Sequence, residues 1–192
     1  PRAMQISPPE NGSHTNPLGI HNGRNSSPLP AARLGYFNLH GVEDAAEWYG
    51  QRDPGSDALL GPVGEGDDYP VAVRPSDVLN SGRAPQVVFS EACYGAHIFN
   101  KSTDQALSLK FLQVGTQAVV GSTCISYGSI SPPLIAADFL GHAFWSFLRE
   151  GVPAGEALRR AKISLAREMH SRQGCLDGED QKTLISFILY GD

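Results

Sequence analysis

The 192-residue sequence has only three cysteines, Cys93, Cys124 and Cys175, and no CxxC pair. Thiols this few and this scattered argue against a disulfide framework and against a cysteine-based zinc site. The sequence also lacks a GxGxxG or P-loop motif, so nothing in it predicts a bound nucleotide. It has no GxSxG motif either, which disfavours a serine hydrolase of the α/β type.

Positive charge and long apolar runs are also scarce. The chain has 15 Lys and Arg against 20 Asp and Glu, a net charge of −5, which argues against a broad nucleic-acid surface. The longest apolar stretch, residues 134–148, contains Asp138 and His142 and is too short to cross a bilayer. We therefore expect a soluble protein without a membrane span. The cytoplasm is favoured over secretion, although a longer or exported precursor stays open.

The order of apolar segments predicts the fold class. Residues 1–31 are rich in Pro, Asn, Ser and Gly without a period, which predicts a loosely ordered arm before a globular domain over residues 32–192. Apolar runs predict strands at 34–39, 71–73, 86–92 and 117–123, and helical patterns cover 103–114, 133–150 and a segment opened by Pro153. This alternation predicts an α/β protein with a mostly parallel sheet flanked by helices.

Two of the predicted strands end in residues that can perform chemistry together. His40 follows the first strand and Cys93 follows a later one, 93 − 40 = 53 residues on. Parallel sheets place their sites at the carboxyl ends of strands, and an imidazole there can take the proton that makes a thiol nucleophilic. The alternatives are that Cys93 is a buried small hydrophobe and that His97 is the base.

Five segments carry a resemblance to a known family: "FNLHG", "VVFSEACYG", "ALSLKFLQVGTQAVVGST", "GVPAGEALRRAKISLA" and "FILYGD". In this order the chain resembles the caspase-like cysteine peptidases, above all the gingipain-type family and the related CHAT domains, from about Arg33 to Asp192. The local caspase signature Q-A-C-[RQG]-G matches at Ala92, Cys93 and Gly95, and caspases have their histidine about 50 residues upstream.

The resemblance implies a three-layer caspase-like fold and a set of roles. His40 corresponds to the catalytic histidine and Cys93 to the nucleophile, and the backbone N–H groups of Gly41 and Cys93 correspond to the donors that face the oxyanion. The family's sheet has further strands before the one that leads to the histidine. The resemblance therefore implies that the first strands lie outside this chain, or that further domains or another chain complete the sheet.

Three residues are candidates for substrate contact. Glu91, two residues before the cysteine, corresponds to an acid that in several relatives forms the floor of the pocket for the residue before the cleaved bond, which implies cleavage after Arg or Lys. Legumain-like relatives show that an acid at this place can accompany other preferences. The simpler alternative is an acid that pairs with an arginine or caps a backbone N–H. Ser122 and Tyr127 flank the segment that we expect to form a wall of the cleft.

The sequence therefore predicts a cysteine endopeptidase with a protein or peptide substrate and no cofactor. Weak Ca²⁺ binding by the acidic residues 65–68 stays open, as does a role in the cleft for the acidic loop of Glu43, Asp44 and Glu47. The segment 42–85 contains Arg52, Arg74 and Arg83, which suggests self-processing if cleavage follows basic residues. The alternative is a caspase-like scaffold or signalling module with little turnover. The presence of both Cys93 and His40 favours the enzyme.

Overall fold

The computed structural model describes residues 3–6, 32–51, 69–78, 84–129 and 131–191. Within them, five strands form the main sheet: β1 (Ala3–Ile6), β2 (Leu34–Phe37), β6 (Val87–Ser90), β7 (Ala118–Ser122) and β8 (Phe187–Gly191). Their order is β1-β2-β6-β7-β8, with the first four strands parallel and β8 antiparallel to β7. A mostly parallel sheet is what the sequence predicted.

A second, three-stranded sheet of short antiparallel strands accompanies the main one. Its strands are β3 (His40–Gly41), β4 (Trp48–Tyr49) and β5 (Val71–Val73). The described helices are α1 (Leu107–Gln113), α2 (Ala136–Arg149), α3 (Ala154–Gln173) and α4 (Gly178–Ser186), with a short 3-10 helix at Pro75–Asp77. The chain is therefore an α/β protein.

The main sheet is covered on both faces because neighbouring residues of its central strands point to opposite sides. Phe89 and Val120 belong to a core with residues of α2 and α3, whereas Val88 and Val119 belong to a core with α1 and the small sheet. Leu140 and Phe144, one turn apart on α2, are fully buried in the first core. This arrangement is compatible with a three-layer fold.

The pairing of β2 with β6 brings two distant segments into line. Leu34 lies beside Val87 and Phe37 beside Ser90, so the offset between the strands is 87 − 34 = 53 residues. His40 and Cys93, each three residues beyond the end of its strand, are separated by the same 53 residues. Glu91 N–H extends the pairing by donating to the Phe37 carbonyl at 2.9 Å. The strand register thus directs the two candidate catalytic segments to the same edge of the sheet.

Four sequence-based expectations change. Residues 3–6, expected in a loose arm, form a strand of the main sheet, and the remainder of that arm lies outside the described residues. The predicted helix at 103–114 begins at Leu107 instead. The sequence also predicts Ser76 as the N-cap of a short helix before Gly82, but Ser76 lies inside the 3-10 helix, whose N-cap is Arg74. Residues 183–192, which form a last apolar run in the sequence, contain the end of α4 before β8. Hydrophobic spacing does not reveal this helix, which starts where the Asp177 side chain accepts from Asp180 N–H.

None of the helices in the described part of the chain is both long enough and apolar enough to span a membrane.

Candidate active site

A cleft of about 330 Å³ lies where β2 and β6 end. The described residues that line it come from both segments and from the chain between β7 and α2: Asn38, Leu39, His40, Gln51, Glu91, Cys93, Ser126, Tyr127, Gly128, Ser129, Ala137 and Asp138. His40, Cys93, Glu91 and Tyr127, four of the predicted site residues, therefore share one cavity. Such a concave site with a few convergent polar groups suits a peptide side chain.

Gly41 brings the histidine segment against the backbone of Cys93. A Cβ atom on Gly41 would lie 1.9 Å from the carbonyl oxygen of Cys93 and 3.3 Å from Cβ of Ala92. Only glycine permits so close an approach of the two chain segments. The glycine after the histidine is thus required by packing against the cysteine turn.

The sulfur of Cys93 is half-buried and lies against the segment that follows β7. Ser126 N–H donates to Cys93 Sγ at 3.3 Å, and the thiol donates to the Ser126 carbonyl at 3.6 Å. The Ser126 backbone thus holds the sulfur in place from both its N–H and its carbonyl group. Sequence reasoning did not identify Ser126, because its contribution comes from the backbone.

Among the described residues, the backbone N–H of Cys93 has no acceptor, whereas the neighbouring N–H groups of its turn do. Acceptors among the described residues serve the N–H groups of its neighbours Glu91, Ala92, Tyr94, Gly95 and Ala96. No described group accepts from the Cys93 N–H. An N–H donor without an intramolecular acceptor is able to bind an oxyanion, which is the role that the resemblance implies for the Cys93 N–H.

The turn after the cysteine has a strained backbone. Tyr94 has φ of 57°, in the left-handed region that residues with a Cβ avoid. Its N–H donates to the Cys124 carbonyl at 2.9 Å, which anchors the turn to the end of β7. Backbone strain of this kind concentrates at functional sites.

His40 is exposed on the edge strand β3. Its ring packs on Tyr69, with ring centroids 4.5 Å apart at an interplanar angle of 60°. Neither ring nitrogen has a hydrogen-bond partner among the described residues, so both are available to a thiol or to a leaving amine. Tyr69 was missed from the sequence, because it precedes β5 in a segment with no motif.

Glu91 lies at the bottom of the cleft and is 8 % exposed. Tyr36 on β2 donates to its Oε1 at 2.5 Å. Burial raises the pKa of Glu91 to about 8; the Tyr36 hydrogen bond opposes this shift and the nearby Asp138 carboxylate adds to it. Burial and the charge of Glu91 also hold the pKa of Tyr36 far above its usual range, so Tyr36 stays a donor. Among the described residues, no arginine pairs with Glu91, and the partner of its Oε1 is Tyr36.

The two other predicted substrate contacts, Tyr127 and Ser122, lie in different surroundings. Tyr127 lines the cleft, and the Lys182 Nζ atom lies 5.3 Å from the centre of its ring. Ser122 is fully buried at the end of β7 and lies outside the cleft; its hydroxyl is 3.0 Å from Ser186 Oγ and 2.9 Å from the Cys124 carbonyl. Ser122 has no surface for a substrate, so its assignment as a contact is corrected to a structural role.

The alternative base, His97, and the acids of the loop after His40 do not line the main cleft. His97 lines a second, small depression on the other side of Cys93, and its Nδ1 is 3.4 Å from the Thr123 carbonyl. Glu43 and Asp44 are exposed and line neither cavity, and Glu47 faces the small depression rather than the main cleft. None of the three acids joins Glu91. The acid that does is Asp138 of α2, which the sequence showed only as an interruption of an apolar run.

No cluster of three or more His, Cys, Asp or Glu side chains suited to a metal ion occurs in the described ranges. The acidic residues 65–68 considered for Ca²⁺ lie outside those ranges, as do Arg52 and Arg83 of the expected processing segment. Arg74 is exposed beside the 3-10 helix.

No protein-family model matches the chain, and comparison with curated protein sequences gives no significant match.

Proposed function

We propose that the protein is a cysteine endopeptidase of the caspase-like type, with a Cys93–His40 dyad that cleaves after basic residues. One observation carries the proposal: the 53-residue register of β2 and β6 matches the spacing of His40 and Cys93, and both residues line one cleft. The packing of Gly41 against the Cys93 carbonyl supports the same pairing independently, because it requires the two segments to be adjacent.

The proposed reaction follows from the groups in the cleft. His40 accepts the thiol proton, and the Cys93 sulfur attacks the scissile carbonyl to form a tetrahedral intermediate. The Cys93 N–H, together with the N–H of Gly41, binds the negative oxygen, a contribution of about 10²–10³ in rate for each donor. The intermediate collapses when His40 protonates the leaving amine. Water, deprotonated by His40, then hydrolyses the thioester and releases the acid.

A buried acid in the cleft supports the proposed preference for basic residues. Glu91 has no cationic partner among the described residues, and no Lys or Arg occurs among the described residues that line the cleft. An Arg or Lys side chain of a substrate would supply the missing charge through charge-assisted hydrogen bonds.

A peptide library with varied residues before the cut tests the activity. We expect the wild type to cleave after basic residues, Cys93→Ala to lose all turnover, and the control Cys124→Ala to retain it, because the one hydrogen bond of the Cys124 thiol among the described residues goes to the Ile125 carbonyl. Mass spectrometry should find one equivalent of a peptidyl chloromethyl ketone on Cys93 of the wild type. No turnover and no labelling would favour the scaffold or signalling alternative.

Self-processing has a separate test. The intact mass of purified wild type should show a cut after Arg52, Arg74 or Arg83 that Cys93→Ala lacks. Equal intact masses for the two proteins would rule out self-processing without affecting the peptidase proposal.

A further inference from the structure

The register of β6 and β7 places two cysteines side by side. Val87 lies beside Ala118, so the offset between these two parallel strands is 118 − 87 = 31 residues. Cys93 and Cys124 are separated by the same number, 124 − 93 = 31. Each lies just beyond the end of its strand, so the same register, continued past the strand ends, makes the two cysteines neighbours.

A backbone hydrogen bond continues this register into the turn after β6. Tyr94 N–H donates to the Cys124 carbonyl at 2.9 Å. In a parallel pair, the residue after one partner donates its N–H to the carbonyl of the other partner, so this bond is half of a bridge between Cys93 and Cys124. Partners in such a bridge have Cα atoms about 4.8 Å apart, within the range of roughly 4.4–6.8 Å that a disulfide spans.

The two sulfur atoms contact the two ends of a single peptide group, which joins Ile125 to Ser126. Cys93 Sγ accepts from the Ser126 N–H at 3.3 Å, and the Cys124 thiol donates to the Ile125 carbonyl at 3.7 Å. Residues 123–129 form neither helix nor strand, so the rotation of the two side chains that joins the sulfurs breaks no regular structure there. Both cysteines are free and half-buried, which leaves them open to a small oxidant from solvent.

We propose that Cys93 and Cys124 form a reversible disulfide, through which a hydroperoxide inactivates the proposed peptidase without destroying its nucleophile. The pairing of the two thiols follows from the strand register alone, and only the loss of activity rests on the proposed function. Cys124 takes no part in peptide cleavage. It is the resolving cysteine, the thiol that reacts with Cys93 after Cys93 is oxidised.

The proposed oxidation has two steps. The Cys93 sulfur attacks the peroxide and takes one oxygen atom; the O–O bond breaks, and the thiol proton leaves with the second oxygen as water, so that Cys93 becomes a sulfenic acid. The Cys124 sulfur then attacks the sulfenic sulfur, the S–O bond breaks, and a second water leaves as the disulfide forms. The two thiols together give two electrons to the peroxide, and a thiol reductant returns them.

The resolving cysteine also protects the nucleophile from permanent damage. A sulfenic acid that meets no thiol is oxidised further to a sulfinic acid, which thiol reductants do not reverse. The disulfide stops this second oxidation, and Cys93 regains its thiol on reduction. Cys175 follows α3 and is exposed, so Cys175→Ala is the matched control for a substitution at Cys124.

Peptide mapping tests the pair without any need for peptidase activity. The reduced wild type is treated with hydrogen peroxide, its remaining thiols are alkylated, and the digested protein is analysed by mass spectrometry. Of the three thiols, we expect 3 − 2 = 1 to remain free and the peptides that contain Cys93 and Cys124 to be linked. Cys175→Ala should form the same link, whereas Cys124→Ala should carry a sulfinic acid at Cys93.

Peptide cleavage before and after oxidation tests the inactivation. An excess of hydrogen peroxide should abolish turnover by the wild type, Cys175→Ala and Cys124→Ala alike. Dithiothreitol should then restore nearly all the turnover of the first two proteins and almost none of that of Cys124→Ala, because thiols do not reduce a sulfinic acid. Recovery of Cys124→Ala to the same extent as the wild type would overturn the protective role of Cys124.

The outcomes distinguish this inference from the peptidase proposal. If the wild type cleaves peptides but peroxide leaves all its thiols free, links Cys93 to Cys175 or to a second chain, or yields the same sulfinic acid as in Cys124→Ala, the pair is wrong and the peptidase stands. If the wild type cleaves nothing and the link between Cys93 and Cys124 forms, the peptidase proposal fails and the disulfide stands as a redox site of the cleft.

Discussion

The two ends of the cleft are built in different ways. At the Cys93 end, the parts are backbone groups set by the register of two adjacent strands and by the contact of Gly41 with the Cys93 carbonyl. At the Glu91 end, the parts are side chains from β2, from the turn after β6 and from α2, held by single hydrogen bonds. The first end should tolerate almost no change in shape, whereas the second should tolerate changes that preserve shape and alter charge.

The largest effect is expected where the backbone contact is broken. Gly41→Ala places a Cβ atom 1.9 Å from the Cys93 carbonyl oxygen, so the histidine segment must move away from the cysteine. We expect the protein to lose about 2–3 kcal/mol of unfolding free energy. The proposed peptidase activity should fall by about 10²-fold or more, because a catalytic group displaced by an ångström is poorly aligned.

Gly155→Ala is the matched control for this change. Gly155 lies in α3, and a Cβ atom there meets no other atom within 4 Å. The same substitution should therefore stabilise the protein by about 0.5–1 kcal/mol through helix propensity, without changing activity. Chemical denaturation measures the change in unfolding free energy, and kcat/KM measures the change in activity. Equal effects of Gly41→Ala and Gly155→Ala would contradict the packing argument.

At the Glu91 end we expect a smaller effect, a dependence of the unfolding free energy on pH. The pKa of Glu91 is about 8 in the folded state against 4.5 for the free side chain, so the folded state retains a proton that the unfolded state has lost. The wild type should therefore lose stability as the pH rises from about 4.5 to 8, at roughly 1.4 kcal/mol for each unit of pKa shift. Glu91→Gln keeps the acceptor for Tyr36 and cannot ionise.

Denaturation at pH 5 and pH 9 measures this prediction. The difference in unfolding free energy, Glu91→Gln minus wild type, should be about 3–4 kcal/mol more positive at pH 9 than at pH 5. Glu150→Gln, which changes an exposed carboxyl group, should follow the wild type. Parallel curves for Glu91→Gln and the wild type would show that the buried carboxyl is not protonated near neutral pH.

The two ends also differ in how far the sequence predicts them. The strands predicted at 34–39 and 86–92 end directly before His40 and Cys93, so local patterns place both residues at one edge of the sheet, although the strands of the structure end earlier, at Phe37 and Ser90. Asp138 reaches Glu91 only through the packing of α2 on the sheet, and helical spacing shows it as one polar residue in an apolar stretch. The Ser126 N–H could not be predicted, because any residue type supplies a backbone N–H. Ser122 was predicted to contact substrate, but it is buried and its hydroxyl bonds to Ser186 of α4.

The smallest predicted effect concerns the strained turn that follows Cys93. Tyr94 has φ of 57°, which costs an L-residue roughly 1–2 kcal/mol and costs glycine almost nothing. Tyr94→Ala and Tyr94→Gly lose the same ring contacts, including that with His97, so their difference isolates the backbone term. Because glycine also gains entropy in the unfolded chain, we expect Tyr94→Gly to be more stable than Tyr94→Ala by only about 0.5–1 kcal/mol.

The same pair of substitutions at Arg167, an exposed position inside α3, is the control. There the order should reverse, with alanine about 1 kcal/mol more stable than glycine. If alanine is the more stable residue at both positions, the turn after Cys93 does not hold the left-handed conformation in solution.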